Sequence, residues 1–152
     1  MRKILTFSLV ILLLLLTSAP AGAAQENTLT IINPIDFGSG PQFPAPFTAD
    51  GPAVNDGLFC ASGTVYTLVN TPAGPPSFDL RNFHDIKLFV CDQGSITVLL
   101  NAHAFSDPSS HVGTWNVLSG TGAFAGLHGR GEQTGEPTSV GVTDTYTGWV
   151  NK

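Results

Sequence analysis

His128, Arg130 and Glu132 stand at alternate positions, and on an extended chain residues two apart share a face. An imidazole, a guanidinium and a carboxylate so placed form a small acid–base cluster, with His128 and Glu132 as the proton-handling pair. The plainer reading is a solvated outer strand face, which ordinary alternation produces without any chemistry. Just upstream, Gly120-Thr121-Gly122-Ala123-Phe124-Ala125 fits a degenerate dinucleotide-binding fingerprint. That fingerprint requires a helix whose N-terminus meets the pyrophosphate. Gly126, Gly129, Gly131 and Gly135 follow at once, and each costs about 1 kcal/mol against alanine in a helix. The stretch therefore predicts a bend and a glycine-spaced strand, with Leu127, Gly129, Gly131 and Gln133 on one face. The alternating glycines leave room for a bulky ring such as Trp115, Phe124 or Trp149.

Other combinations are poorer. His84, Asp85, His103, Asp107 and His111 include metal-ligating types, but their spacings match no compact ligand motif. They read as scattered surface residues, and neither a metal nor a cofactor is expected. Gly-x-Ser-x-Gly is absent, and Ser62-Gly63 falls in a strand-like run rather than at a strand-to-helix elbow. Cys60 and Cys91 are the only two cysteines. In an oxidising compartment they are most simply a disulfide.

The compartment follows from the N-terminus. Arg2 and Lys3 precede the apolar run from Ile4 to Leu16, and Ala21-Gly22-Ala23 offers a small-x-small cleavage site. Residues 1–23 thus read as an export signal, shorter in its apolar part than the roughly 20 residues a membrane span needs. The 152-residue chain carries a net charge of −5. Removing Arg2 and Lys3 leaves Arg81, Lys87, Arg130 and Lys152 against 11 acids, a net of −7. Four scattered cations give no nucleic-acid footprint and no attraction to anionic lipid. The expected product is a secreted protein, extracellular or periplasmic, with no stable membrane insertion once the signal is removed.

The elements that must position these side chains are strands. Residues 24–57 contain Pro34, Pro41, Pro44, Pro46 and Pro52, and such density predicts an irregular segment with at most a short strand over Thr28–Ile32. Period-two patterns then dominate residues 58–152. Leu58–Val69 is rich in β-branched and aromatic residues. Ile86, Leu88 and Val90 alternate against Lys87, Phe89 and Cys91, and Ile96, Val98, Leu100, Ala102 and Ala104 share a face. The Asp92-Gln93-Gly94 turn between them makes a hairpin. Thr114–Ser119 and Gly141–Val150 are further strands, and no mature segment keeps a helical period. The fold class is all-β in one domain, a small barrel or, alternatively, a sandwich.

Gly120 to Gly126 followed by Gly129-x-Gly131 resembles the glycine element of allene oxide cyclase and dirigent-like barrel proteins. Three elements in order also resemble a group of small secreted bacterial proteins. They are Phe59-Cys60-Ala61-Ser62-Gly63-Thr64-Val65, Cys91-Asp92-Gln93-Gly94-Ser95, and Trp115–Gly131 with Val142-Thr143-Asp144-Thr145-Tyr146-Thr147-Gly148. The resemblance covers Leu58 to the C-terminus and implies an antiparallel barrel of about eight strands with a central cavity. It carries no catalytic acid onto a particular position here. The function expected is non-catalytic binding of a small apolar ligand or a partner, with Trp115, Phe124, Tyr146 and Trp149 lining the cavity. Two alternatives stand beside it. One is cyclase- or isomerase-type steering of a reactive intermediate, which needs an inward carboxylate or histidine with a displaced pKa. The other is a structural envelope or matrix protein with a filled interior and an exposed apolar patch.

Overall fold

The computed structural model describes residues 27–39, 44–73, 81–105 and 110–152; the expected export signal lies outside them. Eight antiparallel strands follow one another around a closed barrel, each bonded to its neighbours in sequence, with β1 completing the ring against β8. They are β1 (Thr28–Asp36), β2 (Ala45–Asp50), β3 (Ser62–Ala73), β4 (Arg81–Cys91), β5 (Gly94–Ala104), β6 (His111–Gly120), β7 (His128–Pro137) and β8 (Gly141–Asn151). Closure gives every strand a neighbour on both sides over part of its length, and an eight-strand ring is just wide enough for side chains to fill.

The barrel starts thirty residues earlier than its sequence pattern suggests. The segment 24–57, expected to be irregular apart from a short strand over Thr28–Ile32, supplies β1, which contains that strand, β2 and a single helical turn, α1 (Pro52–Asn55). Its prolines are tolerated where ladder bonds are scarce. β1 pairs with β2 only over Thr30–Ile32, so at Pro34 the strand is held on its β8 side alone. Asn33 spans the resulting gap, its Nδ2 donating to the Pro46 carbonyl at 2.8 Å.

The strands expected later in the chain are present, each a few residues longer or shifted. Ile96, Val98, Leu100, Ala102 and Ala104 all face inward and are buried. On β4 the inward set is Asp85, Lys87, Phe89 and Cys91, whereas Val90 is exposed. Tyr66, Leu68 and Val69 are also exposed on neighbouring β3. The β4–β5 turn falls at Asp92-Gln93, with Gly94 at φ 151° against the β6–β7 connection. Cys60 and Cys91 form a disulfide, tying the segment before β3 to the end of β4.

One end of the barrel is apolar. Phe47, Phe89 and Phe59 pack edge to face with ring centroids 5.2–6.1 Å apart, and Phe124 meets Phe59 at 6.4 Å. Ala53 of α1, Ile96, Leu127 and Val150 complete this end. The fingerprint-like frame Gly120–Ala125 is part of it: a one-turn 3-10 segment, Gly122–Phe124, separates β6 from β7 and turns the Phe124 ring into the core. The helix that a nucleotide loop would need is replaced by β7.

Candidate functional site

The interior changes character toward the opposite end. Asn33, Asp85, Lys87, His111, Gln133 and Asp144 are all at least nine-tenths buried, although each belongs to a type usually found in water. Strand register explains how they meet. His111 of β6 pairs with Gly135 of β7, Gly135 with Asp144 of β8, and Asp144 with Asn33 of β1. Gly135 is the gap in this row. A Cβ there would lie 2.2–2.6 Å from three atoms of the imidazole, so only glycine lets the His111 ring lie across β7 and reach β8. One row on, the relation inverts, with Gly113 on β6 beside the long Gln133 side chain on β7.

Two polar groups result. In the first, His111 Nε2 lies 2.8 Å from Gln133 Nε2 and 3.1 Å from Asp144 Oδ1, and the Tyr146 hydroxyl donates to Asp144 Oδ2 at 3.3 Å. One ring nitrogen cannot serve both neighbours in the same state. Unprotonated, it accepts the Gln133 N–H and opposes the carboxylate with a lone pair. Protonated, it faces Asp144, and the Gln133 amide must turn its oxygen toward it. In the second group, Asp85 and Lys87, two apart on β4, pair at 3.3 Å, and Asn70 Nδ2 donates to Asp85 Oδ1 at 2.7 Å.

Burial pushes the Asp85 carboxyl above its usual range, against the opposing pull of Lys87 and the Asn70 hydrogen bond; Asp144 adds to the rise. The Tyr146 hydroxyl is held well above its ordinary value by burial and then by the same Asp144. Asp144 thus acts on both groups, which places them in one electrostatic neighbourhood. Among the described residues, Asn33 Oδ1, His111 Nδ1, Gln133 Oε1 and Asp144 Oδ1 are buried with no hydrogen-bond partner. The His111–Asp144 approach is an ion-pair contact without the alignment of a hydrogen bond. Leaving such an atom unpaired costs about 1–3 kcal/mol, so four in one region are expensive unless something else pairs with them. Apolar side chains stand beside them: Phe83 packs edge-on against His111 at 5.5 Å, and Ala102 and Leu100, register partners of Phe83 and Asp85 on β5, are buried.

The residues singled out from sequence fall in different places. Trp115, Phe124 and Tyr146 are inward and almost completely buried, as packed core. Trp115 fills the space above two glycines: a Cβ on Gly131 or Gly148 would come within 2.7 Å of its indole, whose Nε1–H donates to the Glu132 and Thr147 carbonyls. Trp149 does not line the interior. It stands on the outer face of β8, with His128 edge-on at 5.9 Å and the Arg130 guanidinium over its ring. His128, Arg130 and Glu132 are exposed on the outside, so the proton-handling pair considered from sequence is a solvated face. His84 and His103 are also external, bonded to Asn101 and Asn82.

Two members of the set read as surface residues, Asp85 and His111, are instead interior, because the faces of β4 and β6 that carry them turn inward. Asp107 lies outside the described residues. No group of three metal-ligating side chains able to hold an ion occurs among those described, and none of their helices is long and apolar enough to cross a membrane. No protein-family model matches the chain, and no similar curated protein is found.

Proposed function

We propose that this protein is an exported, non-catalytic binding barrel that receives a small molecule at the polar end of its interior. The ligand presents a polar group to Asn33, His111, Gln133 and Asp144 and an apolar body to Phe83, Leu100 and Ala102. One observation carries the reading: four buried polar atoms from four different strands make no hydrogen bond among the described residues, and of these only Asp144 Oδ1 has even a close polar contact, to His111. A packed structural core would satisfy such atoms or replace them. The wholly apolar ligand expected from the aromatic set gives way to one with a polar head, because that set belongs to the packed core or, for Trp149, to the outside.

Native mass spectrometry of protein purified from its own source tests this reading. A retained small molecule, lost when His111 and Gln133 are replaced, is the expected result. No retained mass, together with ordered water on all four atoms in a high-resolution crystal structure, overturns it.

A second reading is favoured by Asp85. A buried carboxyl whose pKa is raised by burial holds its proton more readily than an exposed one, and a carboxylic acid so placed can donate to a bound intermediate, as cyclase- or isomerase-type steering requires. Under that reading Asp85→Asn abolishes turnover while ligand retention persists. Under the binding reading Asp85→Asn leaves no activity to lose.

A further inference from the structure

The outer face of β6, β7, β8, β1 and β2 carries a groove that crosses the strands. Its floor is the row Trp115–Gly131–Gly148–Leu29, neighbours in register whose side chains, where present, point inward. One bank is the adjacent row of outward residues, Thr114, Glu132, Thr147, Thr30 and Asp50. The other is Asn116, Arg130, Trp149 and Thr28. Two open clefts, of about 560 and 370 Å³, lie end to end along it and share Thr147, Gly148 and Trp149. Five strands at roughly 4.8 Å spacing give a length of about 19 Å.

The geometry points to a neutral, linear oligosaccharide as the occupant of this groove. Every bank residue except Trp149 is exposed, and their polar ends are hydroxyls, one amide, one guanidinium and two carboxylates. This mixture of donors and acceptors, repeated at strand spacing, matches adjacent sugar hydroxyls. Planar Glu132, Asp50, Asn116 and Arg130 can each bind two at once. Trp149, partly exposed beneath the Arg130 guanidinium, adds an indole to an otherwise polar bank, and the apolar C–H face of a pyranose ring stacks on such a surface once the guanidinium turns aside. One cation against two carboxylates disfavours a polyanion. An extended peptide would bind best by adding a strand to a free sheet edge, which the paired strands beneath this groove do not offer.

Only Trp115 and Trp149 are tryptophans, and Trp115 is buried, so fluorescence reports on the groove. The full-length mature protein is titrated separately with cello-, xylo-, chito- and malto-hexaose. The expected result is a saturable change with at least one of them. Binding weakens at least tenfold in Trp149→Ala and in Glu132→Ala by calorimetry, is largely kept in Trp149→Phe, and is unchanged in His111→Phe. That last variant separates this site from the interior one, so the two proposals fail independently. The inference is overturned if no hexaose binds, if Trp149→Ala binds as tightly as the parent, or if unstructured peptides displace the sugar at lower concentration.

Discussion

Both ends of the barrel are built from the same strands, yet they are finished in opposite ways. At the apolar end, Phe47, Phe59, Phe89 and Phe124 interlock, and the disulfide, α1 and the Phe124 turn close the interior. At the polar end, comparable positions on β1, β4, β6, β7 and β8 hold Asn33, Asp85, His111, Gln133 and Asp144, with four buried atoms that make no hydrogen bond among the described residues. Glycines serve each end differently. Gly131 and Gly148 make room for an indole that is fully hydrogen-bonded to backbone carbonyls. Gly135 makes room for an imidazole whose Nδ1 has no hydrogen-bond partner among the described residues. Stability is made at one end and given up at the other. The apolar end supplies burial, and the polar end retains chemistry that burial penalises.

The comparison breaks first at the apolar end. Phe89→Ala removes a fully buried ring that touches Phe47, Phe59 and Tyr146. It should cost about 3–5 kcal/mol in urea unfolding, a large share of the stability of a small domain. Replacing Cys60 and Cys91 by serine opens a loop of 31 residues. The expected loss is about 3–4 kcal/mol, read as a fall in the urea midpoint matched by reduction of the parent.

At the polar end the effects are smaller and more local. Gly135→Ala drives a methyl into the His111 ring, so the imidazole must leave Asp144. A loss of about 1–3 kcal/mol should accompany a changed imidazole nitrogen spectrum by NMR, while the Phe89 resonances stay in place. Lys87→Met tests the electrostatics. Lys87 is the strongest influence lowering the Asp85 pKa against burial, so its removal moves that pKa further up in a carboxyl-carbon NMR titration. The sign of the linkage follows. A folded pKa above the unfolded one makes Asp85 a cost at high pH, a cost that fades as pH falls through the folded value toward the ordinary one. The Lys87→Met variant should show this acid-side gain in urea midpoint beginning at higher pH than the parent.

Much of the fold is legible in the sequence, and the site is not. Period-two runs identify β4 through β8, and Asp92-Gln93-Gly94 identifies the hairpin. Two cysteines in a chain with an export-like N-terminus identify the disulfide. The glycine spacing after Gly126 anticipates the ring above it, because a missing Cβ is a local feature that sequence displays directly. The first half of β1 is legible as the short strand Thr28–Ile32, but its second half and β2 are hidden by prolines, which are tolerated only because ladder bonds are few beside Pro34 and Asn33 bridges to β2. The polar cluster is hidden for a stronger reason. Alternation separates the two faces of a strand but does not say which one turns inward. On β4 the buried face carries Asp85 and Lys87 while Val90 is outside. His111, Gln133 and Asp144 meet through register across three strands, a relation with no signature along the chain. One signal was available: Asp144 shares its face with Val142, Tyr146 and Val150, all of core type.

The central claim is that the apolar end holds the barrel together and the polar belt is kept for what it binds. It is tested most directly by the urea midpoint of the triple variant His111→Phe, Gln133→Met, Asp144→Asn. The first two changes replace both partners of a buried polar contact by apolar groups of similar shape, which is close to neutral or stabilising, and Asp144→Asn removes the charge while keeping an oxygen for the Tyr146 hydroxyl. The account predicts a midpoint equal to or above that of the parent. A clear fall, on the scale of Phe89→Ala, would show that the belt is structural and contradict it.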